Sequence, residues 1–138
     1  MKLNSRREIG NAGLAMAIAY FGANGITVSI PLNDTQDYDL VVDYGGKLKT
    51  VQVKATNNLT EAGTYAVSLK TVSGTTRKVY KTVKDTKVDL LFCLCGDGTM
   101  YLIPIDKVDN KSTINLGKVK SKYAGRRVQD YSQYIVCL

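Results

Sequence analysis

The stretch DYDLVVDYGGKLKTVQVKATN, residues 37–57, narrows the possible folds more than any other part of the chain. Apolar residues alternate with polar ones on both sides of Gly45-Gly46. That is the pattern of two antiparallel strands joined by a tight glycine turn. Within TVQVKAT, Val51 and Val53 point to one face, and Gln52 and Lys54 to the other. Asp39 opens the partner strand, and the short connection carries its carboxylate beside Gln52. An acid, an amide and an ammonium on one face of a small sheet are costly unless they meet water, one another or an ion.

The rest of the chain supplies elements for such a sheet. NSRREIGNAGLAMAIAYFGANG predicts a helix from about Ser5 to Phe21. Ser5 and Glu8 have capping-box spacing, and Gly22 and Gly25 are stop signals. Ile9, Ala12, Met16, Ala17 and Phe21 form its apolar face, and Gly10 and Gly13 allow close backbone approach. ITVSIPL is a short strand ended by Pro31, and NDTQDY is a polar turn. TYAVSLK is a third alternating segment, and VDLLFCLC and TMYLIPID form a second hairpin across GDG. TVSGTTRKVYKTVKD is polar and basic with no clear period. Residues 107–138 are the least readable and end in YIVCL. The expected fold is α/β, a mixed central sheet flanked by helices, in a single domain spanning 1–138. Its core covers about 5–106, and 107–138 form a basic extension of the same domain. LLFCLC is apolar on both faces, so the sheet should be covered on both sides.

Composition removes several chemistries. The chain has no histidine, which excludes Ser-His-Asp and Cys-His catalysis and histidine-bound zinc. Acid/base work falls to carboxylates, lysine, tyrosine, cysteine or a metal. Cys93, Cys95 and Cys137 are an odd number, and CxC alone is half a zinc site, so they read as reduced core residues. The beginning of the sequence lacks a signal peptide's apolar segment, and no run reaches the ~18 apolar residues of a membrane helix. The expected location is the cytoplasm or nucleoid, without secretion. A net charge of +7 favours a polyanionic partner.

Magnesium takes hard oxygen ligands and is held by one or two carboxylates. Asp39, Gln52 and Glu8 are the candidate ligands, with Lys54 beside them to orient water or offset charge on phosphorus. Each has an ordinary alternative. Glu8 is placed to close a capping box, Asp39 and Asp37 to serve a turn, and Lys54 to be a solvated sheet lysine. Candidate nucleic-acid contacts are Arg6, Arg7, Ser29, Arg77, Lys78, Tyr80 and Lys81. Further basic residues are Lys84, Lys118, Lys120, Lys122, Arg126 and Arg127. Base reading falls to the loops around NNLTEAG and TVSGTTRK, or to the tail.

YDLVV, a glycine turn and VQVK together resemble the core of the PD-(D/E)xK nucleases. The resemblance is above all to the group I intron homing endonuclease branch, where glutamine replaces the second acid. It is also similar to archaeal-type Holliday junction resolvases. GITVSIPL and the late hairpin extend it over roughly residues 5–106. It implies a restriction-endonuclease-like core and a catalytic set of Glu8, Asp39, Gln52 and Lys54. It also implies magnesium, with manganese substituting, and DNA cut to a 5′-phosphate and a 3′-hydroxyl. Two departures stand out. YD replaces PD, and the neutral Gln52 removes one negative charge, which favours one well-held metal over two. The substrate is either a long duplex site or a four-way junction. One site per domain, cutting two strands, implies a homodimer or homotetramer. The alternative is a DNA-binding module that keeps the fold without efficient chemistry.

Overall fold

The computed structural model describes residues 3–73, 79–82, 85–109, 112–123, 125 and 129–138. Helix α1 (Arg6–Ala23) begins where the sequence signals it. Ser5 Oγ accepts from the Glu8 amide at 3.1 Å, and Glu8 Oε2 accepts from the Ser5 amide at 3.1 Å. Gly13, Ala17 and Phe21 lie four apart and form its buried stripe.

Strands β1 (Thr27–Ser29), β2 (Leu40–Tyr44) and β3 (Lys47–Thr56) come next, then β4 (Tyr65–Ser68), β5 (Lys70–Ser73) and β6 (Val79–Thr82). Strands β7 (Leu90–Cys95), β8 (Met100–Pro104), β9 (Thr113–Leu116) and β10 (Ile135–Val136) complete the set. Six of them form one sheet in the order β1-β2-β3-β7-β8-β10. The central pair β3–β7 is parallel and the other pairs are antiparallel, so the sheet is mixed. At the β2–β3 turn, Gly45 and Gly46 have φ of 62° and 95°, a conformation that disfavours side chains. The Gly46 amide donates to Asp43 Oδ1 at 2.6 Å, which gives that aspartate a turn-closing role.

Side-chain parity divides the sheet into two cores. Leu40, Val42, Val51, Phe92 and Leu94 pack under Ala17 and Phe21 of α1. Leu91, Cys93, Cys95, Tyr101 and Ile103 face the other way, against Val67 and Leu69 and against Ile114 and Leu116 of β9. LLFCLC is thus apolar on both faces because both are covered. The two covers differ: among the described residues one helix covers the first face, and the second is covered by the β4–β9 pair with Val108 and Tyr131. Cys93 and Cys95 are free and buried, and Cys137 is free and exposed. Burial pushes the Cys95 thiol up to about 12 and raises Cys93 too, so neither is a ready nucleophile. No described helix is long and apolar enough to cross a membrane.

The polar stretch after β4 forms a separate two-stranded unit, β5–β6. Asp89 ties the start of β7 to β3: its Oδ2 accepts from the Thr50 amide at 2.9 Å, and its own amide donates to the Thr50 carbonyl at 3.1 Å.

Gly13 sets the distance between α1 and the sheet. A Cβ there would come within 2.9 Å of Ala55 Cβ and 3.3 Å of Val53 Cγ1, whereas one at Gly10 would meet nothing. We expect Gly13→Val to destabilise by about 1–3 kcal/mol through overpacking. Gly10→Ala should stabilise by about 0.5–1 kcal/mol through helix propensity. Urea denaturation of the two variants checks the pair, and equal effects would contradict the packing described.

Candidate active site

Strand β2 pairs with Lys47–Val51 and then ends, so Gln52–Thr56 of β3 have no β2 partner. Asp39, one residue before β2, completes the ladder at that point. Its amide donates to the Val51 carbonyl at 2.9 Å, and its carboxylate Oδ2 accepts from the Val53 amide at 2.7 Å. The charged acceptor stands where the next carbonyl of a longer strand would have stood.

Parity then gathers the polar groups. Leu40 and Val42 face α1, so Asp39 faces away from it. Val51 and Val53 pack on the α1 side, so Gln52 and Lys54 share the face of Asp39. Gln52 lies beside Leu91, and Lys54 beside Cys93. Gln52 is 5% exposed, and its Oε1 has no hydrogen-bond partner among the described residues. An unpaired buried carbonyl oxygen is costly in a folded chain, and here it lies on the face that carries Asp39.

The two charges perturb each other. Desolvation raises the Asp39 carboxyl above its ordinary value, although the side chain stays open to water. The Val53 amide and then Lys54 oppose that rise, while Asp34 adds to it. Desolvation lowers half-buried Lys54, with Asp39 and then Cys93 opposing. Asp39, Gln52 and Lys54 therefore occupy one crowded face at a strand end.

Glu8 behaves differently. Its Oε2 accepts from the Asn4 amide at 3.0 Å as well as from Ser5, and these bonds hold its carboxyl below the ordinary value. The side chain is exposed, and the capping role is the one it fills. The helix start nevertheless borders the same strand. Arg6 and Ile9 line a groove of about 640 Å³ with Lys54, Thr56, Asn57, Asn58, Ser68 and Thr113. Thr56 Oγ1 donates to the Ala66 carbonyl at 2.8 Å, which joins β3 to β4 along the groove floor.

The remaining candidates are scattered. Ser29 is exposed on β1, opposite Val41 and on the Asp39 face, and Arg7 is exposed in the first turn of α1. Arg77, Lys78, Lys84, Arg126 and Arg127 lie outside the described residues, as do the side chains of Tyr80 and Lys81 on β6. Lys118, Lys120 and Lys122 are exposed. Sequence reasoning placed Asn58 in a base-reading loop but missed Ser68 and Thr113 as groove residues, and Asp34 as a charge acting on Asp39. None has a spacing signal, because a polar residue in a turn or a short strand looks the same wherever it points. Among the described residues no three Asp, Glu or Cys side chains come together in a group that could hold a metal ion. The centre carries one carboxylate and one amide on its sheet face.

A carboxyl raised by folding costs stability as pH climbs through the interval from its ordinary value to the raised one. Asparagine at position 39 keeps an acceptor for Val53 and removes that cost. We expect Asp39→Asn to raise the Tm of metal-free protein at neutral pH, with the gain vanishing as pH falls toward about 4. Thermal melts against pH in chelator check this, and a lower Tm throughout would contradict it.

The comparisons with known proteins bear on the fold and the family. The profile of the PD-(D/E)XK endonuclease family matches residues 4–136. That match runs on beyond residue 106, where the resemblance read from the sequence stops. No curated protein matches. Among solved structures, the bacterial homing endonuclease I-Ssp6803I superposes with a TM-score of 0.71 and 24% identity. The superposition covers 95% of this chain and 87% of that one, and at this identity it speaks to the fold. The resemblance, the restriction-endonuclease-like core and the family profile converge, and the chain belongs to the PD-(D/E)XK endonuclease family.

Proposed function

We propose that the protein is a metal-dependent DNA endonuclease of the homing type, acting on duplex DNA. The observation that carries the reading is the unpaired, buried Oε1 of Gln52 on the face shared with Asp39 and Lys54. An amide oxygen and a carboxylate with one oxygen left after Val53 are hard donors, and they fit a small divalent cation, magnesium or manganese. Such an ion, when bound, draws charge from a phosphodiester oxygen and makes water more acidic. Asp39 and Gln52 would hold it. Glu8 joins them if its carboxylate swings away from the Asn4 and Ser5 amides.

The chain's own groups supply the rest. Lys54 places an ammonium beside Asp39, where it positions the attacking water and offsets charge growing on phosphorus. Its half-burial strengthens that interaction by excluding water. Arg6 and the Asn, Ser and Thr side chains of the groove hold the backbone next to the cut. The homing endonuclease neighbour favours a duplex over a four-way junction. Two strands need two such sites, hence at least two copies.

Lys54→Ala and Asp39→Ala should each slow cleavage of genomic duplex DNA in Mg²⁺ by about 10²-fold or more. If six side chains contact phosphates, log affinity should fall against log salt with a slope near −5, at about −0.9 per contact. A cleavage panel of random duplex, flap and mobile four-way junction is the test. Metal-independent cutting, or equal cutting by all three proteins, removes the proposed centre. Preferential cutting of the junction moves the substrate to the resolvase class. Salt-sensitive binding without cutting leaves a DNA-binding module.

A further inference from the structure

The loop between β1 and β2 carries an apolar tip. Leu32 is 100% exposed and Ile30 is 63% exposed, with Pro31 between them. Single exposed apolar residues are ordinary, but two large ones flanking a half-buried proline on one loop are not. The remaining large exposed apolar side chains lie elsewhere: Tyr44 and Leu48 at the far hairpin end, Leu59 after β3, and Ile135 and Leu138 near the C-terminal strand.

The position of the tip follows from the sheet register. Ser29 ends β1 opposite Val41, and Asp39 immediately precedes β2, so the loop leaves and rejoins the sheet at the end that holds Asp39. Asp34, two residues past Leu32, is close enough to act on the Asp39 carboxyl. A phosphodiester that reaches Asp39 and Lys54 therefore passes within the span of this loop. A duplex presented to Asp39 and Lys54 meets the tip as it docks, because the loop rejoins the sheet at Asp39. Proline fixes the backbone of the tip in advance, as a side chain that must pry stacked bases apart requires.

We propose that Ile30, Pro31 and Leu32 form a wedge that enters a base-pair step of duplex DNA beside the phosphodiester presented to Asp39 and Lys54. The proposal rests on the reading of that face as a DNA-cutting centre. Apolar side chains inserted between base steps unstack them and kink the duplex, and partial insertion untwists it. The bend brings the scissile strand to the strand end and its flank into the groove beside Arg6. This gives the enzyme a preference for steps that unstack easily, pyrimidine–purine steps above all, without hydrogen bonds to bases.

The test uses full-length protein carrying Lys54→Ala, so that plasmid stays uncut. Closed circular plasmid is relaxed by a metal-independent topoisomerase at saturating protein, then stripped and run on a gel. The unaltered loop should shift the topoisomers toward lower linking number. Ile30→Ser combined with Leu32→Ser should abolish the shift while filter binding to the same plasmid is retained, and Leu32→Met should keep it. Both positions are exposed, so the fold tolerates the changes. Retained untwisting in the double variant overturns the wedge. So does a change in sedimentation mass without DNA, which would assign the tip to contact between copies. Failure of the unaltered loop to bind plasmid overturns the wedge and the DNA-cutting reading together. Binding without untwisting overturns the wedge alone.

Discussion

Strand β3 outruns the strand that pairs with it, and a side chain finishes what the backbone leaves undone. Beyond Val51 the amides of β3 have no β2 carbonyl to meet, and the Asp39 carboxylate takes the first of them, at Val53. On the opposite edge Asp89 takes the Thr50 amide where β7 has not yet begun. Each bond satisfies a backbone donor with a charged acceptor, which is stronger than a neutral one. Together they lock β3 between its neighbours, so the direction in which Gln52 and Lys54 point is settled. The placement of these polar groups on the sheet follows from those two hydrogen bonds and the two-residue period of a strand.

That placement runs against stability. Desolvation works against both charges of the Asp39–Lys54 pair, and Gln52 keeps an oxygen without a donor. Chains tolerate such groups where chemistry needs them. Glu8 shows the opposite preference, since its carboxylate is satisfied within its own helix start. The contrast explains why one unsatisfied acceptor beside one carboxylate speaks more strongly for a cation than a well-bonded acid does.

Much of the fold is legible in the residues because the signals are local. The Ser5–Glu8 box sets the helix start, Gly45-Gly46 makes the first hairpin, and GDG the second. The alternation in TVQVKAT separates Gln52 and Lys54 from the valines within a single short window of chain. Other elements carry no such signal. Among the described residues strands β5 and β6 pair with each other alone, and their sequences KTVS and VYKT carry no apolar period. Strand β9 is only four residues long and finds its partner, β4, across more than forty residues of chain. Its eligibility depends on Ile114 and Leu116 meeting the far face of the sheet, a contact no short window contains.

The sequence by itself determined the polar triplet and its face, because strand parity and a glycine turn act over a few residues. It also narrowed the chemistry, because a chain without histidine leaves acid/base work to carboxylates, lysine, tyrosine, cysteine or a metal. Only the tertiary structure decided that β2 reaches no further than Leu40, that Glu8 turns to its own helix, and that the Gln52 oxygen is left without a donor. Those outcomes depend on which groups compete for each hydrogen bond once distant segments meet, and that competition exists only in the packed chain.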